Sequence, residues 1–502
     1  MRGVRHEGNP FAVLHIKTKR TMEKAVRYIL SRFPHQPTLM QQRACEEMVR
    51  FLYDADPSST FLLRGYAGTG KTSLVSALVR SAPALRIKTV LLAPTGRAAK
   101  VLSAYSGQPA YTIHRKIYQT VTDASGVMRM CRALNKHTYT LFVVDEASMI
   151  GNADEGLTEH RSLLEDLVDY VGEGNHCRLM LIGDTAQLPP VGTSQSPALD
   201  IGYLSSILHL AVHHSELTEV VRQDRLSGIL LNATLLRQHI AMLPEGGQPD
   251  MPLFDLEQCQ DVVRLQGEEL EEVLNAEYRE CGMEHVTIIT RSNKRANMFN
   301  QAIRNRILLR EEEVNAGDYL MVVKNNYYWL EEDSGMGFIA NGDIVEVQSL
   351  RNHQELYGFH FADATLRFVD YPDMPLHDCK LLLETLHSES PSLTADQSRQ
   401  LFEAVMEDYA DMPLRADRLR AVKQNPYYNA LQVKFSYALT CHKTQGGQWH
   451  TAIVDQGYLT DEMIDKEYLR WLYTAVTRAT DKVYLLQFQD NFFARPDNNS
   501  GD

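Results

Sequence analysis

The chain of 502 residues lacks any long apolar run. None approaches the roughly 18 residues that a bilayer-crossing helix needs, so no membrane partner is expected. The opening stretch, "MRGVRHEGNPFAVLHIKTKR", is basic but has neither the apolar core nor the cleavage site of a secretion signal. It also contains Glu7 and no serine, unlike an organelle transit peptide. Cysteine pairing is missing too. The seven cysteines, Cys45, Cys131, Cys177, Cys259, Cys281, Cys379 and Cys441, are odd in number and form no CxxC pair. That argues against a disulfide framework or a zinc module and suits a reducing compartment, so a cytoplasmic location is expected.

An overall positive charge is absent as well. The formal net charge is −13, which taken alone argues against nucleic acid as a partner. A groove, however, responds to local charge. Two stretches contain no Asp or Glu. Arg86 to Lys116 holds Arg86, Lys88, Arg97, Lys100, Arg115 and Lys116. Leu419 to Val454 holds Arg420, Lys423, Lys434 and Lys443, interleaved with Tyr427, Tyr428, Phe435, Tyr437 and Trp449. Basic residues among aromatics suit single-stranded nucleic acid.

What is present is a repeated alternation. Short apolar runs at Phe61–Leu63, Thr89–Ala93, Leu141–Val144 and Leu179–Ile182 end in polar loops, with helical patterns between most of them. This predicts a parallel sheet covered on both faces. The pattern returns at Val286–Thr290, Phe435–Thr440, Thr451–Val454 and Val483–Leu486, predicting a second α/β domain. Between them, "GDYLMVVKNNYYWL" and "GFIANGDIVEVQSL" alternate and include the turn pair Asn341-Gly342, predicting a small antiparallel barrel. An acidic stretch follows, with helical spacing at Leu401, Phe402, Val405 and Met406. Met22, Ala25, Val26, Ile29, Leu30 and Phe33 predict an N-terminal helix packed on the first domain. The expected division is an N-terminal helical extension (1–36), a first α/β domain (37–220), a second one (221–310 and 426–502), and an inserted barrel with an acidic helical segment (311–425).

"RGYAGTGKTSLV" supplies the chemistry. Gly65, Gly70, Lys71 and Thr72 fit G-x-x-x-x-G-K-[ST], after an apolar strand and before a helix-compatible run. Glycine lets the backbone wrap phosphates, and helix-end amides face the anion. The candidate nucleotide cradle is Gly65, Ala67, Gly68, Thr69, Gly70, Lys71, Thr72 and Ser73, with Lys71 on the terminal phosphates of ATP and Thr72 on Mg²⁺. In "LFVVDEASM", Asp145 ends a buried strand and can share the Mg²⁺, while Glu146 can orient or deprotonate the attacking water. Gln41, in "TLMQQRACEEM", has an amide that could read adenine.

The ordered set "GYAGTGKTS", "LLAPTGRAAKVLS", "YTIHR", "VVDEAS", "LIGDTAQLPPVG", "LTEVVRQ", "YALTCHKTQGGQW" and "YTAVTRA" resembles a superfamily 1 helicase of the RecD-like and Dda-like group. It spans about Thr38 to Ala479. The resemblance implies two RecA-like motor domains with an inserted SH3-like barrel. It implies that Gln187 couples the terminal phosphate to the attacking water, and that Arg222 and Arg478 approach that phosphate. It places Pro94, Thr95, Arg97, Thr112, His114, Ser292, Asn293, His442, Lys443 and Gln445 along a single-stranded DNA track, where contacts to phosphate and sugar position the strand without reading sequence. It places a strand-separating pin near 117–138. The expected activity is ATP-dependent unwinding of duplex DNA with movement 5′ to 3′, by a monomer acting at single strands and duplex junctions. The acidic insertion is the candidate contact for a partner protein. The competing expectation is a DNA-stimulated ATPase switch or loader that binds without unwinding. No second acidic cluster suggests a nuclease.

Overall fold

The computed structural model describes residues 19–122, 128–151, 161–220, 227–244, 247–257, 259–330 and 338–494. By contacts it divides into two units, Met1–Pro94, Ala98–Gln119 and Cys131–Arg225 in one, and Thr95–Arg97, Thr120–Met130 and Leu226–Asp502 in the other. Among the described residues no helix is long and apolar enough to cross a membrane.

The first unit begins with helices α1 (Lys19–Leu30) and α2 (Leu39–Leu52). Ala25 and Ile29 of α1 are buried in the first core, with Met22, Val26, Leu30 and Phe33 packed on it, as their spacing predicts. Thr38 caps α2 reciprocally. Its hydroxyl accepts from the Gln41 amide, and the Gln41 side chain accepts from the Thr38 amide. Then follow β1 (Ser59–Gly65), α3 (Lys71–Ser81), β2 (Lys88–Ala93), α4 (Gly96–Ser106), β3 (Ala110–Thr112) and α5 (Ile113–Ile117). Two short strands, β4 (Tyr118–Thr122) and β5 (Met128–Arg132), pair with each other where the pin is expected. The chain continues through β6 (Thr140–Val144), α6 (Leu163–Glu173), β7 (Arg178–Gly183), α7 (Ile201–Ser206) and β8 (Ala211–Leu217). The sheet order is β3-β2-β6-β7-β1-β8, and every pairing is parallel. All six strands therefore end at one edge, where a parallel sheet presents its ligand site.

The second unit holds α8 (Gly228–Met242), β9 (Val262–Leu265), α9 (Leu270–Cys281), β10 (Val286–Thr290) and α10 (Asn293–Ala302). A barrel is then inserted: β11 (Tyr319–Val322), β12 (Ile344–Leu356), β13 (Phe359–Phe368), β14 (His377–Leu382), helices α11 (Ala395–Glu407) and α12 (Arg415–Lys423), and β15 (Leu431–Phe435). The unit ends with β16 (Ala438–Thr440), α13 (Cys441–Thr444), β17 (Trp449–Asp455), α14 (Lys466–Val476) and β18 (Ala479–Leu486). Its sheet, β16-β10-β17-β18-β9, is again parallel throughout.

Two expectations need correcting. Phe435–Thr440 is not one strand. Phe435 ends β15 in the barrel, and after Ser436-Tyr437 the chain enters the sheet as β16. The barrel is closed and five-stranded, but not wholly antiparallel, because β14 and β15 pair in parallel. A parallel pair needs a long crossover. The acidic segment provides it. Leu401 and Val405 of α11 and Val422 of α12 are buried against Phe359, Phe361 and Leu382. One continuous core joins barrel and sheet, containing Leu320, Val345 and Val433 with Leu265, Ile288 and Ile453.

Candidate functional site

The phosphate loop follows β1 and runs into α3. Gly68 and Gly70 have φ of 71° and 81°, a region open to glycine and costly to most other residues. A Cβ on Gly65 would lie 3.0 Å from both Lys71 Cγ and Thr69 Oγ1 and 3.1 Å from Leu217 Cβ, so the loop closes tightly there. Lys71 Nζ folds back, donating to the carbonyls of Gly65 (2.7 Å) and Tyr66 (3.0 Å), with Asp184 3.9 Å away. Ala67 lies in the loop, while Thr72 and Ser73 open α3, with Thr72 exposed. Gln41 is fully buried. Its oxygen completes the α2 cap and its nitrogen donates to Thr69 O at 3.0 Å, so both amide ends are engaged within this unit.

Neighbouring strands bring the acids to the same edge. Asp145 follows β6. One of its oxygens accepts from the Tyr105 hydroxyl at 2.5 Å, the other from the Glu146 amide at 2.9 Å. Burial, with the Asp145 charge second, pushes the Tyr105 hydroxyl well above its ordinary value, so it stays a donor and fixes the carboxylate. Glu146 has a φ of 52°, a left-handed conformation uncommon outside glycine. Such outliers cluster where a side chain must be aimed. Gln187 follows β7 and is buried, and its Oε1 has no hydrogen-bond partner among the described residues. An unpaired buried oxygen is costly unless a ligand or water completes it. The oxygen donors of Asp145 and exposed Thr72 are hard ligands of the kind Mg²⁺ takes, so this edge fits a nucleotide with its ion.

Asp184, in the "LIGDTAQLPPVG" motif, is buried, accepts from the Ala186 amide at 2.9 Å in the turn after β7, and lies close to Lys71. Sequence reasoning missed Tyr105, which lies in α4, 40 positions from Asp145, and bears no motif.

The strand-contact candidates also sit at sheet edges. In the first unit Pro94 directly follows β2, and Thr112 and His114 end and follow β3, with Ala93 paired opposite Thr112. Thr112 caps α5 by accepting from the Arg115 amide. His114 packs on Tyr118 with ring centroids 5.6 Å apart, and burial lowers its pKa, keeping it neutral near pH 7. In the second unit Ser292 and Asn293 follow β10, and His442, Lys443 and Gln445 follow β16, with Thr290 paired opposite Thr440. Ser292 caps α10, and Asn293 donates to the Glu389 carbonyl. Burial, then the like charge of Lys434, pushes the Lys443 ammonium down to about 8. Thr95 and Arg97 cluster with the second unit. There the Arg97 guanidinium lies 3.8 Å from the Trp449 ring centroid and donates to Gln448 O at 3.1 Å.

Arg478 is buried in the second unit, donating to the carbonyls of Thr474 (3.0 Å) and Gly447 (3.2 Å). Arg222 lies outside the described residues. Of the aromatics in the second carboxylate-free stretch, Phe435, Tyr437 and Trp449 are core residues, and Tyr427 packs beneath Lys380. Tyr428 is the exposed one.

An AAA domain model matches residues 40–242, and a UvrD-like helicase C-terminal domain model matches residues 435–486. An ATP-dependent RecD2 DNA helicase of Deinococcus radiodurans is 25% identical over 456 residues, 89% of this chain and 50% of that protein. The ATP-dependent DNA helicase dda of Enterobacteria phage T4 is 29% identical over 166 residues, 32% of this chain and 34% of that protein. The chain thus spans about half the length of the RecD2 relative. Among solved structures, Pif1 helicase from Bacteroides in complex with ADP-AlF3 and ssDNA aligns at 14% identity with a TM-score of 0.44, over 91% of this chain and 94% of that one.

Proposed function

We propose that this chain, which belongs to the superfamily 1 helicase group alongside RecD2 and Dda, is an ATP-dependent DNA helicase that moves 5′ to 3′ on single-stranded DNA and opens duplex ahead of it. The observation that carries this reading is the meeting of Lys71, Asp145, Glu146 and Gln187 at one edge of a parallel sheet, with the Gln187 oxygen buried and, among the described residues, unpartnered.

In this reading the loop amides and the α3 N-terminus take the phosphates of ATP. Lys71 exchanges two loop carbonyls for the terminal phosphates. Mg²⁺, held by Thr72 and Asp145, would neutralise charge on those phosphates. Glu146 accepts the proton of the attacking water, and Gln187 orients that water through its free oxygen. Arg222 and Arg478 are assigned to the charge that develops during transfer, a role worth about 10³–10⁵ in rate. Gln41 is assigned to the adenine, which would take the place of Thr69 O on its side-chain nitrogen. Each unit carries its own pair of adjacent strand ends with polar contact candidates, as alternating grip on a polymer requires. The β4–β5 pair is the candidate pin.

The decisive experiment uses partial duplexes with a 5′ or a 3′ single-stranded tail, with and without ATP. Unwinding of the 5′-tailed substrate alone, and only with ATP, is expected. ATP turnover stimulated by DNA without strand separation would instead establish the switch or loader. Turnover indifferent to DNA would refute both.

A further inference from the structure

Two stretches of the second unit share an unusual order of residues. Lys324-Asn325-Asn326-Tyr327-Tyr328 follows β11, and Lys423-Gln424-Asn425-Pro426-Tyr427-Tyr428 ends α12. Each runs lysine, amide, asparagine, then a tyrosine pair. The fold brings them to one cavity of about 540 Å³. That volume lies within the roughly 300–1,000 Å³ range of small-molecule sites.

Each stretch is held rigidly by its asparagine. Asn326 Oδ1 accepts from the amides of Tyr328 (3.0 Å) and Trp329 (3.3 Å). Asn425 Oδ1 accepts from the amides of Tyr427 (2.8 Å) and Tyr428 (3.2 Å). The two are also stapled together, because Asn326 Nδ2 and Trp329 Nε1 both donate to Asn429 O, at 2.8 and 2.7 Å. The floor is apolar, formed by Leu393, Leu401 and Ala430. Around it Tyr327, Tyr328 and Tyr428 remain 42%, 38% and 37% exposed. Lys324 and Lys423 line the same cavity, and among the described residues no carboxylate does, in a chain whose net charge is −13.

Aromatic side chains and flanking ammonium groups suit a base with its phosphate. Neutral amides on the wall add hydrogen-bonding capacity without repelling an anion. We propose that this cavity binds unstacked nucleotides of single-stranded DNA, with tyrosine rings against the bases and Lys324 and Lys423 on the flanking phosphates. It is a contact separate from the residues at the sheet edges. The inference rests on the helicase reading, since that reading supplies the strand.

The test uses the full chain with fluorescent oligothymidylates and long-wavelength crosslinking of iododeoxyuridine-substituted DNA. Paired Tyr328→Ala and Tyr428→Ala should weaken binding of a long oligonucleotide by about tenfold or more, as expected when base stacking is lost. Tyr328→Phe with Tyr428→Phe should retain wild-type affinity, because the ring faces persist. Lys324→Gln with Lys423→Gln, both surface changes that keep the fold, should reduce the salt dependence of log affinity by roughly 0.7 for each lysine. Crosslinks should map to peptides containing Tyr328 or Tyr428. If the alanine and glutamine variants bind like wild type and no crosslink reaches these peptides, the cavity assignment is overturned while the helicase reading stands. Loss of binding in the phenylalanine pair equal to that in the alanine pair would also overturn it. Wild-type protein that binds no single strand at all would instead bring down the function reading.

Discussion

Lys443 offers a quantitative test of the strand contacts. Its ammonium is pushed down to about 8 from the ordinary 10.5, first by burial and then by Lys434. A phosphate seated against it favours the charged form and restores the ordinary value. Free and bound protein then bind the proton differently in the window from about 8 to 10.5, and binding above that lower value requires proton uptake. Affinity therefore falls as pH rises through the window and is level below it. With these two values, the free lysine at about pH 9 is roughly nine-tenths neutral, and affinity is about tenfold weaker than near pH 7. Lys434 is also pushed down to about 8 by burial, but its Nζ is held by the carbonyls of Thr385 and Ser388. Lys443→Arg keeps that background and makes the tested charge permanent. Anisotropy of a labelled oligonucleotide at constant ionic strength should show a steep alkaline loss in wild type and a shallow one in the variant. Superimposable profiles would refute the placement of a phosphate at Lys443.

Lys71→Ala should reduce ATP turnover to near background in a coupled phosphate assay, since it removes the ammonium that the phosphate loop holds near Asp184; turnover within a few-fold of wild type would remove Lys71 from the mechanism. Glu146→Gln should retain nucleotide and DNA binding, measured by calorimetry, while turnover falls at least about a hundredfold, the usual worth of a general base; lost nucleotide binding would make Glu146 structural. Tyr105→Phe should weaken Mg²⁺-dependent nucleotide affinity by a few-fold without unfolding the protein, because the hydroxyl fixes Asp145. Asp343 gives a stability prediction. Burial pushes its carboxyl up to about 7, and its Oδ1 has no partner among the described residues. The stability its neutral form contributes is complete below about pH 4 and is lost as pH rises through about 7. Asp343→Asn should abolish that slope in urea denaturation and stabilise the second unit near pH 8, by at most about 4 kcal/mol; an unchanged slope would contradict the assignment.

The phosphate loop and its acids were legible because their chemistry demands local residues at fixed spacing: glycines beside Lys71, and Asp145 at the end of an apolar strand. The strands of both sheets were legible where they are short and buried. β8, "AVHHSEL", escaped because its histidines mask the apolar pattern, and His213 pairs with Asp54, far away in sequence, at 2.8 Å. The parallel closure of the barrel escaped because alternation marks a strand but not the direction of its neighbour. Apolar continuity from Phe435 to Thr440 hid a passage from one layer to another. Tyr105 on Asp145, and the unsatisfied oxygen of Gln187, exist only once distant segments have met.

Because β15 passes into β16 through two residues, the interrupted sheet has a compulsory order of assembly. β9 and β10 leave the ribosome early, and their neighbours β16, β17 and β18 arrive only after the whole insertion has been synthesised. Until then β10 has two bare flanks in the growing polypeptide, the kind of open template that invites wrong pairing. Completion late in translation makes this half the slower to mature, and the half that most needs shelter while it waits.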